Sequence, residues 1–194
     1  MTRFAFIAMF CVLGVVTAAE PSMEFRAADG SVKRPLQTGG ESKFSVLIFF
    51  LHDCPICNAY APEIERLRAE YEPKGCTFYL VQTDPSLTAE TALKHAKDYG
   101  LKCAVLLDDT NRLAQKCGAM VTPQVAIIGA GERVLYLGRI DDLYADYGKR
   151  RPEATVHDLR MAMNAVLAGK SAPTAGGPAI GCFIPLKKSD ESRK

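Results

Sequence analysis

The chain has 194 residues, 48% hydrophobic and 24% charged, which is enough apolar material for one sizeable core with short extensions at its ends. A formal net charge of +2 is too small to argue for nucleic acid or an anionic membrane surface as the partner. The basic residues near the C-terminus (Lys187, Lys188, Arg193, Lys194) are interrupted by Asp190 and Glu191, the pattern of a solvated tail.

Residues 1–19 read as a secretory signal peptide. Arg3 supplies the positive start, Phe4 to Val16 the apolar stretch, and Thr17-Ala18-Ala19 the small-residue cleavage site. The stretch is short of the roughly 20 residues of a membrane span. The alternative is an uncleaved anchor. Export to the periplasm or the extracellular space is therefore the expected location, with no stable membrane insertion after cleavage. Cys11 leaves with the signal; Cys54, Cys57, Cys76, Cys103, Cys117 and Cys182 remain, in a compartment where disulfides persist.

Residues 20–169 are expected to form one domain and 170–194 a flexible tail rich in Gly, Pro and Ala. Asp29-Gly30, between Phe25 and Val32, suggests a small hairpin. Phe44 to Leu51 is an unbroken apolar run rich in β-formers, the signature of a buried central strand. After His52-Asp53-Cys54-Pro55-Ile56-Cys57, the spacing of Ile64, Leu67 and Tyr71 predicts a helix from Ala59, ended by Pro73 and Gly75. Cys76–Val81 is a second strand, a helix capped near Thr88 runs to about Tyr99, and Cys103–Leu107 is a third strand. A short helix over 110–117 follows, then a hairpin of Gln124–Ile128 and Val134–Gly138, then a helix over Val156–Leu167. This order predicts an α/β fold with helices on both faces of a mixed sheet.

The chemistry concentrates at Cys54-Pro55-Ile56-Cys57. A cysteine placed where a buried strand gives way to a helix faces the unpaired N–H groups and positive end of that helix, which favour the thiolate. A second cysteine one turn on can close a disulfide with it. Cys54, at the rim, is the expected nucleophile and Cys57 the resolving thiol, with no cofactor beyond the thiols themselves. A purely structural disulfide here would close too short a loop to stabilise much. No partner ligands follow at zinc spacing, so no metal is expected. The alternative is a Cu(I) site formed by both thiolates with His52.

These residues resemble the thioredoxin superfamily, over about Phe44 to Leu167. Pro62 matches the proline of the active-site helix, and Val121-Thr122-Pro123 matches the loop that carries the family's cis-proline. The closer resemblance is to exported bacterial redoxin-domain proteins of the TlpA and AhpC/TSA groups, carried by Asp53-Cys54-Pro55-Ile56, Tyr60-Ala61-Pro62-Glu63-Ile64, Gly138-Arg139-Ile140-Asp141-Asp142 and Gly181-Cys182-Phe183-Ile184-Pro185. The resemblance implies a thioredoxin-like three-layer α/β/α sandwich, a cis Pro123 beside Cys54, and a Thr122 backbone that receives substrate chain. The implied partners are exported proteins bearing disulfides or dithiols, together with an upstream redox partner. The chain departs from thioredoxins in lacking Trp and in carrying Ile48 where they bury an aspartate. Leu51 stands where a peroxiredoxin needs Thr, which disfavours a peroxidase.

The remaining cysteines have separate readings. Cys182 is a possible redox relay, its tail folding back to exchange with Cys54 or Cys57; pairing elsewhere is the alternative. The resemblance suggests relatives that keep Gly-Cys-Phe-Ile-Pro while serine replaces the second motif cysteine. Cys103 and Cys117 form a possible structural disulfide, with buried free thiols as the alternative. Cys76 is expected to be buried and inert. Asp141 and Asp142, adjacent at a strand end, point to opposite sides and do not make a catalytic pair. Arg139 is expected to pair with one of them. Met161 and Met163 read as helix-surface and core filling.

Overall fold

The computed structural model describes residues 23–40 and 42–185. The expected signal peptide and the charged end of the tail lie outside these residues. In chain order the strands are β1 (Phe25–Arg26), β2 (Val32–Lys33), β3 (Phe44–Phe50), β4 (Cys76–Gln82), β5 (Ala104–Leu107), β6 (Val121–Thr122), β7 (Gln124–Gly129), β8 (Arg133–Gly138), β9 (Tyr144–Asp146), β10 (Lys149–Arg150) and β11 (Cys182–Phe183). The helices are α1 (Pro55–Tyr71), α2 (Ala89–Asp98), α3 (Arg112–Cys117) and α4 (Asp158–Leu167).

The central sheet runs β5-β4-β3-β7-β8, with β3, β4 and β5 paired parallel and β7 antiparallel to both β3 and β8. Every residue of β3 is buried, because both faces of this central strand are covered. Val46, Ile48 and Phe50 face α1, α2 and α4; Leu47 and Phe49 face α3 and the β1–β2 hairpin. Each fully buried Phe or Leu in these two half-cores contributes about 1.5–3 kcal/mol of transfer free energy. This is the expected three-layer sandwich. The hairpin turns at Gly30, whose φ of 85° suits glycine. Thr88 caps α2 by accepting the Thr91 N–H at 3.2 Å. Among the described residues no helix is long and apolar enough to cross a membrane.

The structure corrects four expectations. The active-site helix starts at Pro55, not Ala59, since proline suits the first helical position. Cys103 and Cys117 do not pair: both are free thiols, one in each half-core, on opposite faces of the sheet. Arg139 pairs with the buried Asp158 at 2.7 Å, not with Asp141 or Asp142, tying β8 to the start of α4. Residues 170–185, expected as a flexible tail, are laid back across the domain. Gly176 N–H donates to Asp158 at 2.6 Å, Ile184 is buried in the second half-core, and β11 pairs with β6.

Met163 is buried and Met161 half-exposed, as the helical spacing predicts. Cys76 is buried and its thiol is pushed up to about 11 by desolvation, in keeping with an inert core position.

Candidate active site

Cys54 is the N-cap of α1, in extended backbone, with no side-chain cap and no acidic residue in the first turn. Its N–H donates to the Leu51 carbonyl at 3.2 Å and its carbonyl accepts from Asn58 N–H at 3.0 Å, which fixes the turn between β3 and α1. Cys54 thereby sits at the positive end of α1. The thiols and N–H groups of Cys57 and Cys182 all favour a charge on its sulfur. The Cys57 thiol is the largest of these influences. Together they outweigh burial and hold the Cys54 thiol down at about 5.

The other two thiols move the opposite way. Burial, then the hydrogen bond to Cys54 and its charge, push Cys57 well above the ordinary thiol value. Burial first, and then the same hydrogen bond and charge, push Cys182 up to about 12. One lowered thiol is thus accompanied by two raised ones.

The Thr122–Pro123 peptide is cis, and the Thr122 carbonyl lies 3.7 Å from Cys54 Sγ, an acceptor when Cys54 carries its proton. Cys54, Cys57, Thr122, Pro123 and Cys182 are therefore brought together, as the sequence reading grouped them. Two details differ. Cys54 is only 1% exposed, not at an open rim. The Thr122 backbone does not stand open either. Strand β11 pairs antiparallel with β6, placing Cys182 opposite Thr122 and Phe183 opposite Val121. Thr122 Oγ1 also donates to the Cys182 carbonyl at 3.3 Å, and Ile184 N–H donates to the Met120 carbonyl at 3.0 Å.

Residues that sequence reasoning did not select complete the site. Gly181 is packed so closely on the Thr122 carbonyl that a Cβ would overlap it. The Tyr147 hydroxyl donates to the Gly181 carbonyl. Tyr60, buried in α1, donates to Asp141 at 2.6 Å, and its ring meets Tyr144 at 5.7 Å. Asp142 turns the other way, accepting from Thr155 Oγ1 at 2.7 Å and from the N–H groups of Thr155 and Val156 at 2.6 and 2.9 Å. These bonds, the Thr155 hydroxyl first, hold its carboxyl well below the usual carboxylate range. The signal for Gly181 was its place directly before Cys182. The tyrosines carried no local signal, since their partners lie far along the chain.

His52 does not join the thiols. Its Nδ1 sits 3.8 Å from Asp84, and its ring is edge-on to His95 at 6.2 Å. Among the described residues no three His, Cys, Asp or Glu side chains form a group that could hold a metal ion, so the Cu(I) arrangement with His52 is not assembled.

A sequence profile described as the AhpC/TSA family matches residues 17–137, well over half of the chain. The chain belongs to the AhpC/TSA family. Solved structures place this family member in the thioredoxin fold. An uncharacterized conserved protein from Geobacillus kaustophilus is 26% identical with a TM-score of 0.70, covering 87% of this chain and 90% of its own. A hypothetical protein, SMc02350, from Sinorhizobium meliloti 1021 is 23% identical with a TM-score of 0.73, covering 86% and 92%. A secreted Mycobacterium tuberculosis disulfide oxidoreductase homologous to E. coli DsbE is 18% identical with a TM-score of 0.53, covering 76% and 96%. No curated protein matches the chain. In this AhpC/TSA chain Leu51, three residues before Cys54, meets it through its carbonyl.

Proposed function

We propose that this AhpC/TSA chain is an exported thiol–disulfide oxidoreductase acting through Cys54 and Cys57. The observation that carries the reading is the split pair: one thiol drawn down to about 5 at a helix N-terminus, the other held neutral one turn away. The Cys54 thiolate attacks one sulfur of a partner disulfide, and the other sulfur leaves as a thiolate. Cys57 then gives up its proton and attacks Cys54 in the mixed disulfide. The partner departs as a dithiol, and Cys54–Cys57 is the new bond. Run backwards, the same steps oxidise a partner dithiol. The proposed partners are exported proteins with disulfides or dithiols, and a second redox protein that resets the pair. The signal-like residues 1–19 support export.

The test is a titration of the mature protein against a glutathione series, with alkylation and mass mapping of free thiols. Cys54 and Cys57 are expected to change state together, and Cys54→Ser to lose exchange with a disulfide substrate by at least about 100-fold. A pair that stays locked across the series overturns the reading. Hydrogen peroxide consumption faster than exchange would replace it with a peroxidase. Export is checked by recovering the full-length product outside the cytoplasm, with its N-terminus at residue 20.

A further inference from the structure

Strand β6 is the strand edge beside the nucleophile, and its pairing partner is the protein's own chain. Cys182 stands in register with Thr122, the residue before the cis proline, and the Thr122 carbonyl lies 3.7 Å from Cys54 Sγ. A cysteine of an extended partner chain, paired with β6 in order to be attacked by Cys54, would have to occupy this same place. We infer that β11 is an internal substrate: it fills the partner-binding edge of β6 and presents Cys182 to Cys54 as the third member of an exchanging set. This rests on the thiol-exchange reading and adds to it what occupies the site between partners.

The fit is specific. Gly181 allows the approach, because any side chain there would meet the Thr122 carbonyl. The segment is held at one end by the Tyr147 hydroxyl on the Gly181 carbonyl. At the other end Ile184 is buried and Asn111 Nδ2 donates to the Pro185 carbonyl at 3.0 Å. Between these anchors only two residues form strand, and Phe183 is 75% exposed. A short strand with one apolar side chain turned to solvent is displaceable by a competing extended chain. With Met120 at 64% and Tyr147 at 57% exposure, Phe183 makes an apolar rim around the buried thiols. The partner class is therefore an extended, cysteine-containing segment with apolar neighbours.

The exchange step needs no outside reagent. In the oxidised protein, Cys182 loses its proton and its thiolate attacks Cys54 in the Cys54–Cys57 disulfide. The Cys54–Cys182 bond forms, the Cys54–Cys57 bond breaks, and Cys57 leaves as a thiolate that takes up the proton. One disulfide replaces another, with no net oxidation. A partner thiolate reaching the same Cys54 competes with Cys182 directly.

The test oxidises full mature chains with oxidised glutathione and maps disulfides by peptide mass. Cys57→Ser is expected to accumulate an intramolecular Cys54–Cys182 bond as its main product, and the unsubstituted chain to show both bonds in exchange. Gly181→Val, which dislodges β11, should cut the Cys54–Cys182 product about tenfold and raise the rate with an extended disulfide peptide by a similar factor. Tyr147→Phe, a milder change that leaves packing intact, should shift both in the same directions a few-fold. Cys182→Ser keeps the strand but removes the second bond, so it separates the chemical role from the covering one. If Cys57→Ser becomes glutathionylated at Cys54 but never bonds Cys182, or if loosening β11 leaves the peptide rate unchanged, the internal substrate is overturned while thiol exchange stands. If Cys54 reacts in no variant, the exchange reading itself falls.

Discussion

A thiol that ionises near pH 5 reacts with electrophiles long before an ordinary cysteine does, and the donors around Cys54 say which substitutions will weaken it. Its alkylation rate by iodoacetamide is expected to reach half its plateau near pH 5. Cys57→Ala removes the largest influence, so the midpoint should rise and the rate at pH 5 fall about tenfold. An unmoved midpoint would assign the low value to the helix end instead. The motif itself was legible because strand, turn and helix adjoin in sequence, and the chemistry follows from that adjacency. Cys182 was legible only as a suspect. Its partner, Thr122, lies 60 residues away, and nothing local in either segment predicts a shared strand register. The paired reading of Cys103 and Cys117 failed for a related reason: closeness along the chain says nothing about which face of a sheet each residue joins.

Between elements, buried carboxylates do the joining. Asp142 gathers three donors from Thr155 and Val156 ahead of α4, so Asp142→Ala leaves them without their acceptor. A loss of about 2–3 kcal/mol is expected, read from urea unfolding. Arg139 balances Asp158, which has almost no exposure, and Gly176 N–H shares that carboxylate. Arg139→Ala strands a buried charge and should cost about 3–5 kcal/mol, more than the double change of Arg139 to Met with Asp158 to Asn. The same measurement decides it; equal costs would mean that the pair carries little charge energy. The elements themselves were readable from periodicity and capping, with boundaries good to a few residues. The two-residue strands β6 and β11 and the β9–β10 hairpin were not, since each is defined by its pairing and not by any local pattern.

At the level of the whole molecule, the ionisation of Cys54 links stability to pH, and only while its sulfur is unbonded. Its folded value of about 5 lies below the ordinary thiol value of 9.0, so its contribution is full above pH 9 and lost as pH falls toward 5. Cys57 and Cys182 are raised, so their contributions fade only above the ordinary thiol value, outside that window. His95 is lowered, by burial and then by His52, with no cysteine among its influences, so its contribution is expected to cancel between the reduced protein and its Cys54–Cys57 disulfide form. The melting temperature of the reduced protein minus that of the disulfide form should therefore fall between pH 8.5 and 5.5, by several degrees on the order-of-magnitude scale for this size. Scanning calorimetry of the two forms checks it, and a flat difference would contradict the low Cys54 value. The layered architecture was readable from the order of strands and helices, because each apolar run had to be covered by what followed it.

Three other cysteines share this molecule, and their burial has a consequence for biogenesis. If the chain is exported as proposed, its six remaining thiols would face about 15 complete pairings, most of them dead ends. Once the sheet closes, Cys76 is held up at about 11 and Cys103 and Cys117 at about 12, each by desolvation first, and the last two are walled onto opposite faces. What remains open to shuffling is a set of three around Cys54. The folded state thus acts as its own proofreader: it withdraws half of its thiols from the isomer lottery and leaves mispairing a hazard of the nascent chain alone.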